Sequence, residues 1–240
     1  MAKREIEEIN ASSMADIAFL LLVFFLVTST FLKEKVQDER LPQKTEQEGV
    51  KLKPYNVLTI LANKNDRILV EDEFDINEGS EVEEIAEYVT KFYIHPASES
   101  EDKWPAVYKI SQKQCEDSVA SLTIKSEQFP DNQNYSMDLK TWKKRLGACQ
   151  VLGGSYNEIS EKAVIGITLD NSTKYETYIK VLDGILTALT DMRNKLCQEK
   201  FQRDYTDLDA DIEEEKKIMD AIEMVYPKRI FKAKGIASAE

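Results

Sequence analysis

The longest apolar stretch of the chain lies near its N-terminus. Residues 11–32 read ASSMADIAFLLLVFFLVTSTFL and contain a single charged side chain, Asp16. At about 1.5 Å per residue a helix of this length reaches roughly 33 Å, enough for a hydrocarbon core of ~30 Å. No clear small-x-small cleavage site follows, so the stretch predicts one uncleaved transmembrane helix after a short tail, residues 1–10.

Beyond this stretch, alternating apolar and polar positions predict the strands of a small mixed sheet. The pattern VLTILA, centred on Ile60, is the clearest example and is followed by the turn NKND. Strands are predicted at 55–62 and 67–71, which form a hairpin around the turn 63–66, at 119–126, at 162–170 and, as an edge strand, at 229–233.

Apolar residues at helical spacing predict the helices that cover this sheet. The first runs over 79–93, with Ser80 as its N-cap and Glu83 as the second half of a capping box. A short helix is predicted at 139–148, a long one towards Leu196 with Asn171 or Ser172 as its cap, and a last one at 208–225. The fold class is therefore α+β.

Composition divides the chain into an anchor, a linker and a folded domain. Residues 33–54 are polar and charged and include Pro42, Gly49 and Pro54, which is typical of a flexible linker. The domain is expected over 55–240, with an insertion at about 97–160 that contains a Gly153-Gly154 turn.

Charge and residue counts exclude several classes of function. The net charge of -12 argues against a nucleic-acid-binding protein, and the short basic clusters at 143–145 and 228–229 are expected to be solvated. Three cysteines and one histidine are too few and too scattered for a structural zinc site, and no nucleophile–base set or cofactor loop is present. We therefore expect no enzyme, metal or cofactor.

The cysteines leave one covalent feature open. If the domain lies in an oxidising compartment such as the periplasm, one disulfide is predicted, between Cys115 and Cys149. Spacing alone does not determine this pairing, and one thiol would remain.

Asp16 is the most informative residue of the chain. A carboxylate inside a membrane helix costs ~2.5 kcal/mol or more and usually faces a protein partner or a water-filled path. At 100° per residue, Ser12, Ser13 and Thr30 lie on the same stripe as Asp16. We hypothesise that Asp16 binds and releases a proton; the alternative is a plain anchor whose carboxylate reaches water at the membrane surface.

The segment EINASSMADIAFLLLVFFLVTSTF resembles the N-terminus of the ExbD/TolR biopolymer-transport family, and SMADIAFLLL is similar to members from Bacteroidetes. In that family an asparagine precedes the membrane aspartate by six positions, as Asn10 precedes Asp16 here. Many members carry a proline where this chain has Ser13, so the start of the helix is less well defined.

Two further segments support the resemblance, which covers about residues 1–95 and 160–235. The stretch AVIGITLDNSTKYETYIKVLDGI is similar to the family's pattern of strand, Asp, Tyr and helix, here with Asp170, Tyr175, Val181 and Asp183. The ending AIEMVYPKRIFKA, with Tyr226 and Pro227, also fits.

The resemblance implies a proton-motive-force-coupled subunit of the cell inner membrane, with a cytoplasmic N-terminus and a periplasmic domain. A dimer of the chain would sit inside a ring of ExbB/TolQ-like polytopic subunits, and Asp16 would carry protons. The work would pass to a TonB-like protein. Two alternatives stay open: a peptidoglycan-contacting stator of the TolR or MotB kind, and a membrane-anchored periplasmic binding or signalling module.

Overall fold

The computed structural model describes residues 11–28, 54–71, 74–77, 79–95 and 103–233. The chain divides into two compact units, Met1–Thr45 and Glu46–Glu240. In the first unit, the helix α1 spans Ala11–Thr28. The predicted tail and most of the predicted linker, residues 33–53, lie outside the described residues.

The second unit contains seven strands among the described residues. They are β1 (Val57–Ala62), β2 (Ile68–Val70), β3 (Phe74–Asp75), β4 (Val107–Ser111), β5 (Ser155–Ile159), β6 (Val164–Leu169) and β7 (Ile230–Ala233). Five form one sheet in the order β3-β2-β1-β6-β7. β6 lies parallel to β1 and β7, whereas β2 is antiparallel to β1 and β3. The predicted mixed sheet, its first hairpin and its edge strand are confirmed.

Two helices cover one face of this sheet, and we call the whole assembly the sheet body. They are α2 (Glu81–Tyr93) and α5 (Tyr175–Phe201), which confirms the first and the long predicted helices. They bury the strand residues that alternate inward, including Leu58, Ile60, Ile165 and Ile167. The side chains of the opposite face, such as Val57, Thr59 and Val164, are only half-buried, and we call it the open face.

The second part of the unit, which we call the hairpin region, is built from α3 (Gln112–Gln128), α4 (Gln133–Leu152), β4 and β5. The two strands pair antiparallel as a separate sheet. The predicted helix at 139–148 is confirmed and longer than expected. Gly153 (φ 91°) and Gly154 (φ 95°) form the predicted turn, because both positions need a left-handed conformation that glycine adopts freely.

The strand predicted at 119–126 is wrong, because these residues lie in the middle of α3. Their β-branched side chains favour a strand locally, but Cys115, Val119 and Leu122 recur at helical spacing and are the less exposed side of α3. Ser111 caps the helix by accepting a hydrogen bond from the Gln114 amide at 3.4 Å. Packing against α4 therefore overrides the local preference.

The start of α2 also differs from the prediction. The Ser80 side chain accepts no backbone hydrogen bond at the start of the helix; its hydroxyl donates to the Glu84 carboxylate at 2.6 Å. The Asn77 side-chain amide donates to the same carboxylate at 2.7 Å. The predicted capping box between Ser80 and Glu83 is therefore wrong, and the acidic partner is the next residue along the chain.

The last predicted helix is confirmed at its C-terminal end. α6 spans Glu213–Val225 and packs against α4, whereas the residues before it form a short 3₁₀ turn, Tyr205–Asp207, and a loop.

Candidate functional site

Asp16 lies in the second turn of α1, and its side chain is exposed. Leu20 (59% exposed) and Val23 (38% exposed) follow at positions that share its face of the helix. Among the described side chains, the carboxylate is therefore the polar group on an otherwise apolar face of the helix.

The predicted polar stripe around Asp16 is only partly within the described residues. Ser12 and Ser13 belong to the first turn of α1, where the backbone alone is described. Asn10 and Thr30 lie outside the described residues, so their roles stay predictions.

The remaining described side chains of α1 are apolar on every side of the helix. A helix on the surface of a soluble domain normally keeps one polar face. Residues 14–24 contain no polar side chain except Asp16, and their large side chains are 38–62% exposed: Met14, Ile17, Phe19, Leu20, Leu21, Leu22, Val23 and Phe24. Within the part of the chain that the structure describes, no helix is both long and apolar enough to cross a membrane.

In the second unit, Asp66 connects the β1–β2 turn to the start of α5. Its carboxylate accepts hydrogen bonds from the Lys174 amide and the Thr177 hydroxyl, both at 2.9 Å, and pairs with the Lys174 ammonium at 2.8 Å. The Lys174 side chain lowers the pKa of Asp66 to about 2, so the group is ionised at neutral pH. Asp66 thus takes the capping role that the sequence assigned to Asn171 or Ser172.

A buried ion pair connects α4 to β5 in the hairpin region. Arg145 donates to Glu158 through Nε at 2.8 Å and through Nη2 at 3.0 Å, and to Glu161 at 2.6 Å. The Arg145 side chain is 12% exposed and that of Glu158 is 4% exposed. The hydrogen bond to Glu158 raises the pKa of Arg145, and burial raises that of the neighbouring Tyr156 hydroxyl, which donates to Glu158.

Arg145 therefore corrects the expectation that the cluster at 143–145 is solvated. The spacing of Trp142, Arg145, Leu146 and Cys149 places Arg145 on the apolar stripe of α4, and this was the available sequence signal. The guanidinium lies over the Trp142 ring, 4.9 Å from its centroid. The ion pair is well suited to hold the helix on its strand and leaves little access for a substrate.

The C-terminal segment is fastened to α5 and α2 through backbone carbonyls. Arg193 donates to the Tyr226 carbonyl through Nε at 3.1 Å and Nη2 at 2.8 Å, and the Tyr93 hydroxyl donates to the Pro227 carbonyl at 2.6 Å. Burial raises the pKa of Tyr93 to about 12, so it remains a donor. Tyr226 and Pro227 therefore position β7 at the sheet edge.

The other residues of the resemblance lie around the start of α5. Asp170 directly follows β6, and its carboxylate accepts hydrogen bonds from the Ser172 hydroxyl and, at 2.9 Å, from the Ser172 backbone amide, which together lower the pKa of Asp170. Val181 is fully buried, whereas Asp183 is exposed. Tyr175 is 75% exposed.

An exposed aromatic surface lies beside β7, and we call it the edge surface; its residues are Tyr175, Tyr178, Ile179 and Lys232. The Tyr175 and Tyr178 ring centroids are 6.0 Å apart, and the Lys232 ammonium lies 4.9 Å from the Tyr178 ring. Ile179 is 40% exposed. Such exposed large side chains next to a sheet edge are typical of a protein contact surface.

No group of histidine, cysteine and acidic residues among the described residues could hold a metal ion. His95 is half-buried and stacks on Trp104, with ring centroids 6.0 Å apart. The described thiols, Cys115, Cys149 and Cys197, are free and buried, and burial raises their pKa values.

Comparison with known proteins identifies a family. The family described as "Biopolymer transport protein ExbD/TolR" matches residues 2–190, a continuous range that contains Asp16 and residues 97–160 and stops before Tyr226. No curated protein and no solved structure matches the chain significantly.

Proposed function

The chain belongs to the ExbD/TolR family of biopolymer transport proteins, and from this membership we propose that it is a proton-coupled subunit of the inner membrane. In this proposal residues 11–32, which include α1, cross the membrane as a single span, with the N-terminus in the cytoplasm and the second unit in the periplasm. Asp16 is the proton-carrying group.

The observation that carries this proposal is the single carboxylate of α1. The helix Ala11–Thr28 is about 27 Å long at 1.5 Å per residue, and the apolar sequence continues to Leu32. Every described side chain of this helix is exposed, so it needs a covering environment. Lipid and a partner protein together provide one, and a lone ionisable group in such a helix supports a role in transport.

The chemistry of the cycle follows from what an apolar environment does to a carboxyl. A neutral Asp16 is compatible with lipid or an apolar protein surface, whereas an ionised Asp16 requires water or polar partners. Movement of the helix between two such environments inside an ExbB/TolQ-like ring couples each proton to a mechanical step. Ser12, Ser13 and Thr30 are expected to hydrate or bind the ionised form.

The second unit is proposed to pass this work to the transport machinery. The edge surface around Tyr175 and Ile179 is where we expect a TonB-like protein to bind. The open face, with Val57 and Val164, is suited to contact a second copy of the chain because these apolar side chains are only half-buried. Transport is then energised at an outer-membrane transporter.

The test replaces Asp16 in the full chain and measures energy-dependent uptake in cells together with proton flux in vesicles. We expect Asp16→Asn to reduce both to background and Asp16→Glu to retain part of the activity, since only glutamate can titrate. Asp138→Asn is the matched control, because Asp138 is an exposed carboxylate on α4. Full activity of Asp16→Asn would contradict the proton role.

A second experiment separates the proposal from its alternatives. Purification from native membranes in mild detergent should retain an ExbB/TolQ-like subunit, and recovery of the chain alone would favour the anchored module. Sedimentation of the purified chain with cell-wall sacculi would favour a TolR- or MotB-like stator.

A further inference from the structure

Two buried thiols face each other at the base of the helical hairpin. Cys115 lies in the first turn of α3 and Cys149 in the last turn of α4, and both are 0% exposed. Their Sγ atoms are 3.9 Å apart across a sequence separation of 34 residues. The helix ends they occupy are the ends joined to β4 and β5, whereas the other ends meet at the tip near Phe129.

The surroundings of the two thiols argue against a role as a reactive nucleophile. The cluster around the thiols is apolar and includes Ile110, Ala148 and Leu152. The Cys149 thiol points to the Ile110 carbonyl at 3.8 Å. Burial raises the pKa of Cys149 to about 12, so the folded protein holds a thiol and not a reactive thiolate.

We propose that Cys115 and Cys149 form a structural disulfide when the domain folds in an oxidising compartment. The inference rests on the proposed periplasmic location, which supplies the oxidant, a protein or low-molecular-weight disulfide. The thiolate of one cysteine attacks that disulfide and releases one thiol, and the second cysteine then displaces the other thiol. Two cysteine thiols are oxidised and one oxidant disulfide is reduced to two thiols.

The geometry requires only a small adjustment to form this bond. A disulfide holds its sulfurs at about 2.05 Å, so the two side chains have to approach by roughly 2 Å through rotation about their Cα–Cβ bonds. Because both thiols are inaccessible after folding, the bond forms while the hairpin region is still assembling. Cys197 lies in a separate cluster with Tyr205 and Ile222 and is the thiol left over.

A disulfide between Cys115 and Cys149 would restrain the pair of helices α3 and α4. Near the tip the helices expose large apolar side chains, Ile124 (56%), Phe129 (55%) and Met137 (63%), so little packing restrains them there. A covalent link at the base keeps α3 and α4 from separating when force acts on the tip. By constraining the unfolded chain, it should also raise Tm by about 10 °C.

The test uses the full chain in mild detergent, unfolded in urea and refolded in a buffer of oxidised and reduced glutathione. Alkylation under denaturing conditions followed by peptide mapping should identify a peptide pair that contains Cys115 and Cys149. The intact mass should be lower by two hydrogen atoms, and reduction should lower Tm. Cys197→Ala is the matched control, and it should still form the link and lose as much Tm on reduction as the wild type does.

Three alkylated thiols after refolding, or a link that contains Cys197, would overturn the proposal. The Cys115→Ala/Cys149→Ala variant should have a Tm no higher than that of the reduced wild type, and a Tm equal to that of the oxidised protein would equally contradict the proposal. If the disulfide forms in vitro but the same cysteines are free thiols in native membranes, the disulfide in the cell and the periplasmic location are both refuted. The proton role of Asp16 is not affected by this result.

Discussion

The sheet body and the hairpin region are stabilised by different kinds of side chain. The core of the sheet body consists mainly of large aliphatic and aromatic residues, among them Ile60, Ile85 and Phe92. The hairpin region buries smaller groups, including Cys115, Ala148 and Cys149, and relies on the ion pair between Arg145 and Glu158. Apolar burial dominates in the sheet body, whereas the hairpin region adds a buried, directional ion pair to a smaller apolar cluster.

The largest effect is expected from truncation in the sheet body. Phe92 is 1% exposed and contacts Tyr93 edge to face, with ring centroids 5.6 Å apart. Phe92→Ala should lower the free energy of unfolding by about 3–5 kcal/mol in urea denaturation, because it leaves a cavity in the core. Phe129→Ala, at a 55% exposed position, should cost less than about 1 kcal/mol.

Hydrogen exchange of the Phe92→Ala variant also measures how far the two regions unfold together. We expect faster exchange throughout the second unit. Acceleration limited to α2, α5 and their strands would mean that the hairpin region has independent stability.

The next largest effect should come from breaking the buried ion pair. Arg145→Met leaves the Glu158 carboxylate buried without its partner and should cost about 3 kcal/mol. In the double variant Arg145→Met/Glu158→Leu most of this loss should be regained, because no charge remains buried. A double-mutant cycle with no interaction energy would mean that the pair contributes nothing to the hairpin region.

Alanine substitutions of one glycine in the sheet body and one in the hairpin region should change the stability in opposite directions. A Cβ on Gly184 in α5 would lie 2.8 Å from the Ile85 Cβ and 3.0 Å from the Val82 carbonyl, so Gly184→Ala should destabilise by about 1–3 kcal/mol. A Cβ on Gly147 in α4 meets no described atom within 4 Å, so Gly147→Ala should stabilise by about 0.5–1 kcal/mol. Thermal denaturation of both variants checks the contrast, and equal signs would contradict it.

The smallest effect is a pH dependence in the sheet body. The folded-state pKa of Asp66 is lowered to about 2 by Lys174, so its contribution to stability is complete above the unfolded value near 4 and is lost as pH falls towards 2. The Tm of the wild type should therefore fall more between pH 5 and about 2 than that of Asp66→Asn. Parallel pH profiles would show that the ion pair does not stabilise the start of α5.

The sequence predicted the sheet body better than the hairpin region for a physical reason. The alternation of Leu58 and Ile60 with half-buried neighbours, and the helical spacing of Ile85 and Val89, follow directly from one buried face. In the hairpin region β4 and β5 were not predicted. Of the β4 residues, Val107, Tyr108 and Lys109 are exposed, so no alternation marks them.

A non-local contact accounts for the error at the start of α5. Asp66 caps α5 from a turn that lies far away in the sequence, so the local candidates Asn171 and Ser172 had no distinguishing signal. For the candidate site, the identity of Asp16 and its apolar surroundings follow from the sequence. Its partners depend on chains that a single sequence does not specify.

The parallel pairing of β1 with β6 also affects how the protein is made. Val57 pairs with Val164, so β1 leaves the ribosome roughly a hundred residues before β6, its parallel partner strand. Until β6 and α5 have been synthesised, α5 does not cover the apolar residues Leu58 and Ile60. A chain whose N-terminus is already held in a membrane would present this exposed segment to the export machinery, so we expect its biogenesis to depend on a holding chaperone.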